Sequence, residues 1–149
     1  MNVICYTRVS SRKRAERSPS IQHQEEILRI YCESHNYNII DSYTENYSGR
    51  TFDRPEWKKI MAYINQNKGK VDLILCLRWD RFSCDTNGAL TTIRELNNFG
   101  VQVNTVEQPL DLTNSDDKLK LAFYLTISEV ESDKRSYRMM ERKRAAKKI

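Results

Sequence analysis

The hydrophobic residues of this chain fall into short strand-like runs that alternate with segments of helical periodicity. Four apolar runs predict β-strands, over residues 2–11, 39–44, 71–77 and 101–106. Three amphipathic patterns predict helices between them, over residues 20–34, 55–66 and 86–99. Alternating strands and helices of these lengths form a mainly parallel sheet with helices on both faces. We therefore predict an α/β fold with a sheet of four to five strands.

Turn and cap residues place the ends of these helices. Residues 18–20, Ser-Pro-Ser, are typical of a helix start, Pro55 suits a first helical turn, and Gly100 suits a helix end. The periodicity of the first helix predicts an apolar stripe of five residues: Ile21, Ile27, Leu28, Ile30 and Tyr31.

Residues 116–149 contain neither Gly nor Pro, so one helix of about 34 residues, or roughly 50 Å, is expected there after a domain at residues 1–115. Its first half is apolar nearly all round, which is more than one core face can bury. Its second half is basic. Such a helix could form a dimer through its first half and lay its tip on DNA. The alternative is a coiled-coil or bundle helix with a solvated end.

Polar side chains follow two of the predicted strands. Arg8 and Ser10 end the first strand, and Asp80 and Arg81 follow the third. In a parallel sheet these ends line the ligand-binding crevice, and residues two apart on a strand point the same way. A guanidinium beside a hydroxyl provides a cation and a nucleophile for attack on a phosphodiester. The alternative is a strand end followed by a helix-capping serine.

Composition narrows the class of protein. The 149 residues carry a net charge of +5, and the last 19 residues hold eight Lys or Arg against three acids, which accounts for all of that excess. A basic terminal segment favours nucleic acid or an anionic membrane surface as partner. The sequence shows no signal peptide and no membrane span, and its four cysteines form no CxxC motif, so we expect a cytoplasmic protein without a zinc site.

Four motifs resemble those of the serine recombinases, the resolvase and invertase family. They are YTRVSS at residues 6–11, SIQHQ at 20–24, SG at 48–49 with DRP at 53–55, and RWDRFS at 78–83. The long last helix, with Glu131 in its middle, is similar to the family's dimerisation helix. The resemblance spans the whole chain and favours the catalytic domain of the large type found in mobile-element integrases and transposases.

The resemblance implies that Ser10 attacks a DNA phosphodiester, forms a 5′-phosphoseryl intermediate and allows strand exchange and religation. It also implies that Arg8, Arg54 and Arg81 surround the scissile phosphate and that Gln24 holds the loop near Ser10. Asp80 would orient an arginine or transfer a proton. No cofactor or metal is needed, since guanidiniums can stabilise the transition-state charge. The expected partners are double-stranded DNA and further copies, as a homodimer and as a tetramer in the synaptic complex. The expected DNA-contacting residues lie on the last helix: Arg135, Arg138, Arg142, Lys143, Arg144, Lys147 and Lys148.

The chain departs from the family pattern in three respects. Cys84 and Ser132 stand where arginines are expected, and Lys134 or Arg135 is a candidate substitute for the second of them. We expect the DNA-binding module that follows the long helix in the family to be missing from this chain. These departures motivate an alternative function, a catalytically impaired recombinase-like domain that binds DNA or oligomerises. A receiver or nucleotide-binding domain is disfavoured, because the first strand ends in neither acidic residues nor a glycine-rich turn.

Overall fold

The computed structural model describes residues 1–9 and 20–147 of the chain. Four strands and five helices follow one another within this part: β1 (Asn2–Val9), α1 (Ile21–Ser34), β2 (Asn38–Asn46), α2 (Pro55–Gln66), β3 (Leu73–Cys76), α3 (Trp79–Phe82), α4 (Thr86–Asn98), β4 (Gln102–Thr105) and α5 (Ser115–Lys147). The strands form one parallel sheet in the order β2-β1-β3-β4. The predicted α/β fold is confirmed.

Side chains of the central strand β1 alternate between two cores. Ile4 and Tyr6 lie in the larger core with residues of α2, α4 and α5, whereas Val3 and Cys5 pack against α1 on the other face. Helices therefore cover both faces of the sheet, which explains why β1 and β3 are almost entirely buried. Arg8 continues the side of the strand that Ile4 and Tyr6 occupy.

The local signals place the helix ends correctly. The Ser20 side chain caps α1 by accepting a 3.1 Å hydrogen bond from the His23 main-chain N–H, and Pro55 occupies the first turn of α2. Within the predicted apolar stripe of α1, Leu28 is fully buried whereas Ile30 is 51% exposed. The polar Gln24 is buried in this helix instead, where it reaches the carboxyl end of β1.

The last helix, α5, spans 33 residues and packs on α3 and α4. One face is buried, at Leu121, Leu125, Ser128 and Ser132. The opposite face exposes an apolar stripe, defined here as Leu119, Phe123, Ile127 and Val130, with exposed fractions between 41% and 73%. The predicted excess of apolar surface on this helix is thus confirmed. None of the described helices combines the length and apolarity that crossing a bilayer requires.

Candidate active site

Three arginines from separate segments meet at the carboxyl edge of the sheet. Arg8 lies near the end of β1, Arg54 directly precedes α2, and Arg81 belongs to α3. All three are buried. Arg8 and Arg81 are joined directly, since Arg8 Nε donates to the Arg81 carbonyl at 3.0 Å and Arg81 Nη1 donates to the Arg8 carbonyl at 3.1 Å. We call these three residues the arginine cluster.

The guanidinium of Arg8 is held by main-chain oxygens. Besides the Arg81 carbonyl, it donates from Nη1 to the Tyr47 carbonyl at 2.9 Å and from Nη2 to the Asp80 carbonyl at 2.6 Å. Burial lowers the pKa of Arg8 to about 10, and the neighbouring cations Arg81 and Arg54 act in the same direction. Arg8 therefore stays charged at neutral pH but is poorly compensated, which favours binding of an anion beside it.

Arg54 is anchored through Tyr6 and Glu45. Its Nη1 donates to the Tyr6 hydroxyl at 3.1 Å, and that hydroxyl donates to Glu45 Oε1 at 3.0 Å. Glu45 also accepts 3.0 Å hydrogen bonds from the main-chain N–H groups of Glu56 and Trp57 in the first turn of α2. Burial raises the pKa of the Tyr6 phenol, so it stays protonated and donates to the carboxylate.

Glu45 is a site residue that no sequence motif predicted. It pairs with Arg8 in the register of β1 and β2 and is buried despite its charge. The available signal was an acid placed just beyond the end of a predicted strand. Tyr6, for its part, is fully buried and packs edge-on against Trp57, so its role is to position Arg54 from inside the core.

Asp80 lies between two arginines. Its Oδ1 accepts 3.3 Å hydrogen bonds from Arg81 Nε and Arg78 Nε. Burial acts to raise the pKa of Asp80, but the charges of Arg81 and Arg78 outweigh it, so the pKa lies below its usual range. Asp80 is thus ionised at neutral pH, which suits orientation of Arg81 better than proton donation. Arg78 is a further cation at this edge that the sequence analysis did not single out.

Gln24 reaches the strand end from α1. Its amide oxygen accepts from the Arg8 main-chain N–H at 3.4 Å, and its Nε2 donates to the Arg8 carbonyl at 3.3 Å. This pairing holds the backbone two residues before Ser10. Ser10 itself lies outside the described residues.

The turn at Gly49 borders both Arg8 and Arg54. Its carbonyl accepts hydrogen bonds from the Cys84 main-chain N–H at 2.7 Å and from Arg54 Nη2 at 3.4 Å. A side chain at Gly49 would have its Cβ 2.7 Å from Arg8 Nη2 and 3.1 Å from Cys84 Sγ, so a larger residue there would have to displace the Arg8 guanidinium. Cys84 is buried, and its Sγ accepts a 3.0 Å hydrogen bond from the Ser128 hydroxyl on α5.

Six of the seven basic residues predicted to contact DNA lie on α5 after Ser132, the last buried residue of its packed face. Arg138, Arg142, Lys143, Arg144 and Lys147 are exposed, and Lys148 lies outside the described residues. Arg135 differs from them because it is half-buried, and its Nε has no hydrogen-bond acceptor within the part of the chain that the structure describes. Arg135 lies one turn after the buried Ser132. Among the basic residues predicted to contact DNA, it is the one that follows the packed face of α5 most closely.

The described ranges, 1–9 and 20–147, contain no group of three or more His, Cys, Asp or Glu side chains arranged to hold a metal ion. The guanidiniums of Arg8, Arg54, Arg78 and Arg81 outnumber the carboxylates of Glu45 and Asp80 at this edge, and guanidiniums suit the binding of a phosphate group.

Comparison with known proteins points to one family. The family described as "Resolvase, N terminal domain" matches residues 3–149. The N-terminal catalytic domain of TP901-1 integrase is 25% identical with a TM-score of 0.72, and the match covers 89% of this chain and 98% of that one. A search of curated proteins gave no significant match.

Two further structures have the same fold at 22% identity. A resolvase family site-specific recombinase from Streptococcus pneumoniae has a TM-score of 0.66, and the match covers 100% of this chain and 99% of that one. The C-terminal catalytic domain of ISC1926 TnpA, an IS607-like serine recombinase, has a TM-score of 0.61 with coverage of 71% and 70%.

Proposed function

Because the chain belongs to the resolvase N-terminal domain family, we propose that it is the catalytic domain of a site-specific DNA recombinase in which Ser10 is the nucleophile. The observation that carries this proposal is the arginine cluster. Arg8, Arg54 and Arg81 come from three separate segments, and they are buried together at the edge of the sheet where the strand leading to Ser10 ends. Asp80 and Glu45 offset part of this positive charge, and the remaining excess of buried cations favours a DNA phosphate as the substrate.

The proposed reaction has two steps, strand cleavage and religation. The Ser10 oxygen forms a bond to phosphorus while the bond from phosphorus to the 3′ oxygen breaks, and the serine proton is replaced by one on the departing 3′ hydroxyl. Religation is the reverse attack by a 3′ hydroxyl on the phosphoseryl ester. The cluster would stabilise the negative charge that develops on the phosphate oxygens, and neither step consumes a cofactor.

The neighbouring residues would position this cluster. Asp80 orients Arg81, the Glu45–Tyr6 pair holds Arg54, and Gln24 holds the main chain of Arg8.

α5 would supply both the dimer contact and non-specific DNA contacts. The exposed apolar stripe from Leu119 to Val130 is the surface proposed to pair with a second copy, and a tetramer would form for strand exchange. The exposed basic residues after Arg135 would contact phosphates in a salt-dependent manner. Arg135, half-buried with an unpaired Nε, is the best candidate to supply the guanidinium missing at Ser132.

The test is covalent capture of DNA. We expect the chain, incubated with a pool of nicked random-sequence duplexes, to give an adduct that resists denaturation and carries a 5′ phosphate on Ser10 by mass spectrometry. Ser10→Ala should abolish the adduct, whereas Ser34→Ala, an exposed serine on α1, should leave its yield unchanged. An adduct of equal yield from Ser10→Ala would refute the assigned nucleophile. A wild-type chain that binds the pool without forming an adduct would support the impaired, DNA-binding alternative.

A further inference from the structure

Arg50 joins the Gly49 turn to the middle of α5. Its Nη1 donates to the Ser136 hydroxyl at 2.7 Å, and its Nη2 donates to Asp133 Oδ1 at 2.9 Å. The two acceptors are three residues apart and lie on the same side of the helix. A planar guanidinium that donates to two acceptors fixes both its own orientation and its distance from them. Arg50 therefore ties its own loop to one position along α5.

The turn beside Arg50 has no free space toward the arginine cluster. An added Cβ at Gly49 would lie 2.7 Å from Arg8 Nη2, and the Gly49 carbonyl accepts from Arg54 Nη2 at 3.4 Å. A small displacement of this turn would either push the guanidinium of Arg8 or release that of Arg54. The position of the turn thus controls two of the three arginines.

α5 also reaches the turn from its buried side. The Ser128 hydroxyl donates to Cys84 Sγ at 3.0 Å, and the Cys84 main-chain N–H donates to the Gly49 carbonyl at 2.7 Å. The turn is therefore connected to α5 through Cys84 on one side and through Arg50 on the other. A shift of α5 would be transmitted to the turn by both contacts.

From these contacts we infer that Arg50 is a positioning residue, which carries the placement of α5 through the Gly49 turn to Arg8 and Arg54. The inference rests on the proposed function, because that function is what gives the arginine cluster a role in a reaction. The Arg50–Asp133 ion pair is half-exposed, with side-chain exposures of 49% and 58%, and such pairs add little to stability. We therefore expect loss of this ion pair to change the geometry of the arginine cluster, and with it the rate of the chemical step.

The first experiment measures the turn itself and needs no DNA. Hydrogen exchange of the Cys84 amide reports on its bond to Gly49. We expect Arg50→Ala and Asp133→Ala each to speed hydrogen exchange at Cys84 about tenfold. The double variant that swaps the two charges, Arg50→Asp with Asp133→Arg, should restore much of the protection. Lys58→Ala, which removes a different exposed ion pair with Asp53 in the same segment, is the matched control and should leave Cys84 protected. Unchanged exchange in Arg50→Ala would overturn the inference.

The second experiment separates positioning from DNA contact. With duplexes captured from the nicked pool, Arg50→Ala should slow adduct formation about tenfold at saturating DNA, while the Kd changes less than twofold. The double variant with swapped charges, Arg50→Asp with Asp133→Arg, should recover the rate of adduct formation. If Arg50→Ala instead raises the Kd for DNA and makes it less dependent on salt, and the double variant with swapped charges does not reverse this, then Arg50 binds DNA directly and the inference is overturned. If the wild-type chain forms no adduct, the proposed function fails, and the exchange measurement at Cys84 still decides whether Arg50 holds the turn.

Discussion

The Cys84 thiol and the Ser128 hydroxyl are in direct contact, 3.0 Å apart, inside the packed face of α5. Cys84 stands at the position where the sequence motif led us to expect an arginine, and this contact shows what surrounds the thiol. Ser128 approaches from α5, and Gly49 lies against the thiol from the opposite loop. The position is closed, so the small residues Cys84, Ser128 and Gly49 form one packing unit.

Restoring the family arginine at this position is therefore expected to damage the chain. Cys84→Arg would place a large charged side chain in a filled, buried space and should lower the free energy of unfolding by about 3 kcal/mol. Urea unfolding measures this. Cys84→Ala, which only removes the sulfur, is the control and should lower the free energy of unfolding by about 1 kcal/mol. A Cys84→Arg chain that is stable and forms the DNA adduct faster would contradict the packing argument.

Gly49→Ala should slow the reaction by crowding Arg8. Three carbonyls hold the guanidinium of Arg8, so it cannot move aside without losing hydrogen bonds. We expect adduct formation to slow about tenfold or more, equivalent to about 1.4 kcal/mol in the barrier.

The matched control is Gly88→Ala in α4. The added Cβ there meets the carboxyl end of the Asp85 side chain, which can turn away into a half-exposed region. Alanine also favours the helix, so Gly88→Ala should keep its activity and its stability. Equal losses from both substitutions would mean that the effect at Gly49 does not pass through Arg8.

Tyr6→Phe tests the anchor of Arg54. Removing the hydroxyl leaves Arg54 Nη1 without this acceptor and Glu45 with one donor fewer, so we expect a loss of about 1 kcal/mol in unfolding free energy. Glu45→Gln should lose about 2 kcal/mol, since an amide group would face the donors at the start of α2. The double variant should lose less than the sum, because the two residues share one hydrogen bond. Tyr63→Phe, on the partly exposed side of α2, should change stability little.

Asp80→Asn tests the ion pair with Arg81 through its pH dependence. The pKa of Asp80 is lowered in the folded state, so its charge stabilises the fold above its ordinary value of 3.8, and this contribution is lost as the pH falls below that value. Because the carboxylate side chain is 35% exposed, we expect Asp80→Asn to cost only about 1 kcal/mol at neutral pH. The difference from the wild type should vanish in strong acid. Asp53→Asn, which removes an exposed carboxylate paired with Lys58, is the control and should change the free energy of unfolding little at neutral pH.

Phe123→Glu tests the apolar stripe as a dimer surface. Phe123 is 65% exposed, so a charge there should leave the fold intact but oppose burial against a second copy. Sedimentation velocity should show a shift from dimer to monomer, with an apparent dissociation constant raised at least tenfold. Lys118→Glu introduces the same side chain outside the stripe and should leave the dimer unchanged. A wild-type chain that is monomeric at every concentration would contradict the assignment.

Local sequence determined the framework. Residues within a few positions of one another decide periodicity, capping and proline placement, so the four strands, the start of α1 at Ser20 and the length of α5 could be predicted. The excess of apolar residues on α5 was visible for the same reason. Ile30 shows the limit of such patterns, because periodicity cannot tell which apolar residue of a stripe finds a partner.

The tertiary structure decided how the cluster is held. Arg8 and Arg81 are 73 residues apart in sequence, and their mutual hydrogen bonds exist only because β1 and β3 are neighbours in the sheet. The Glu45 anchor, the closed space at Cys84 and the Arg50 contact to α5 likewise join distant segments. Motifs can name the charged residues, but burial, register and close packing set their partners, and those depend on the whole chain being folded.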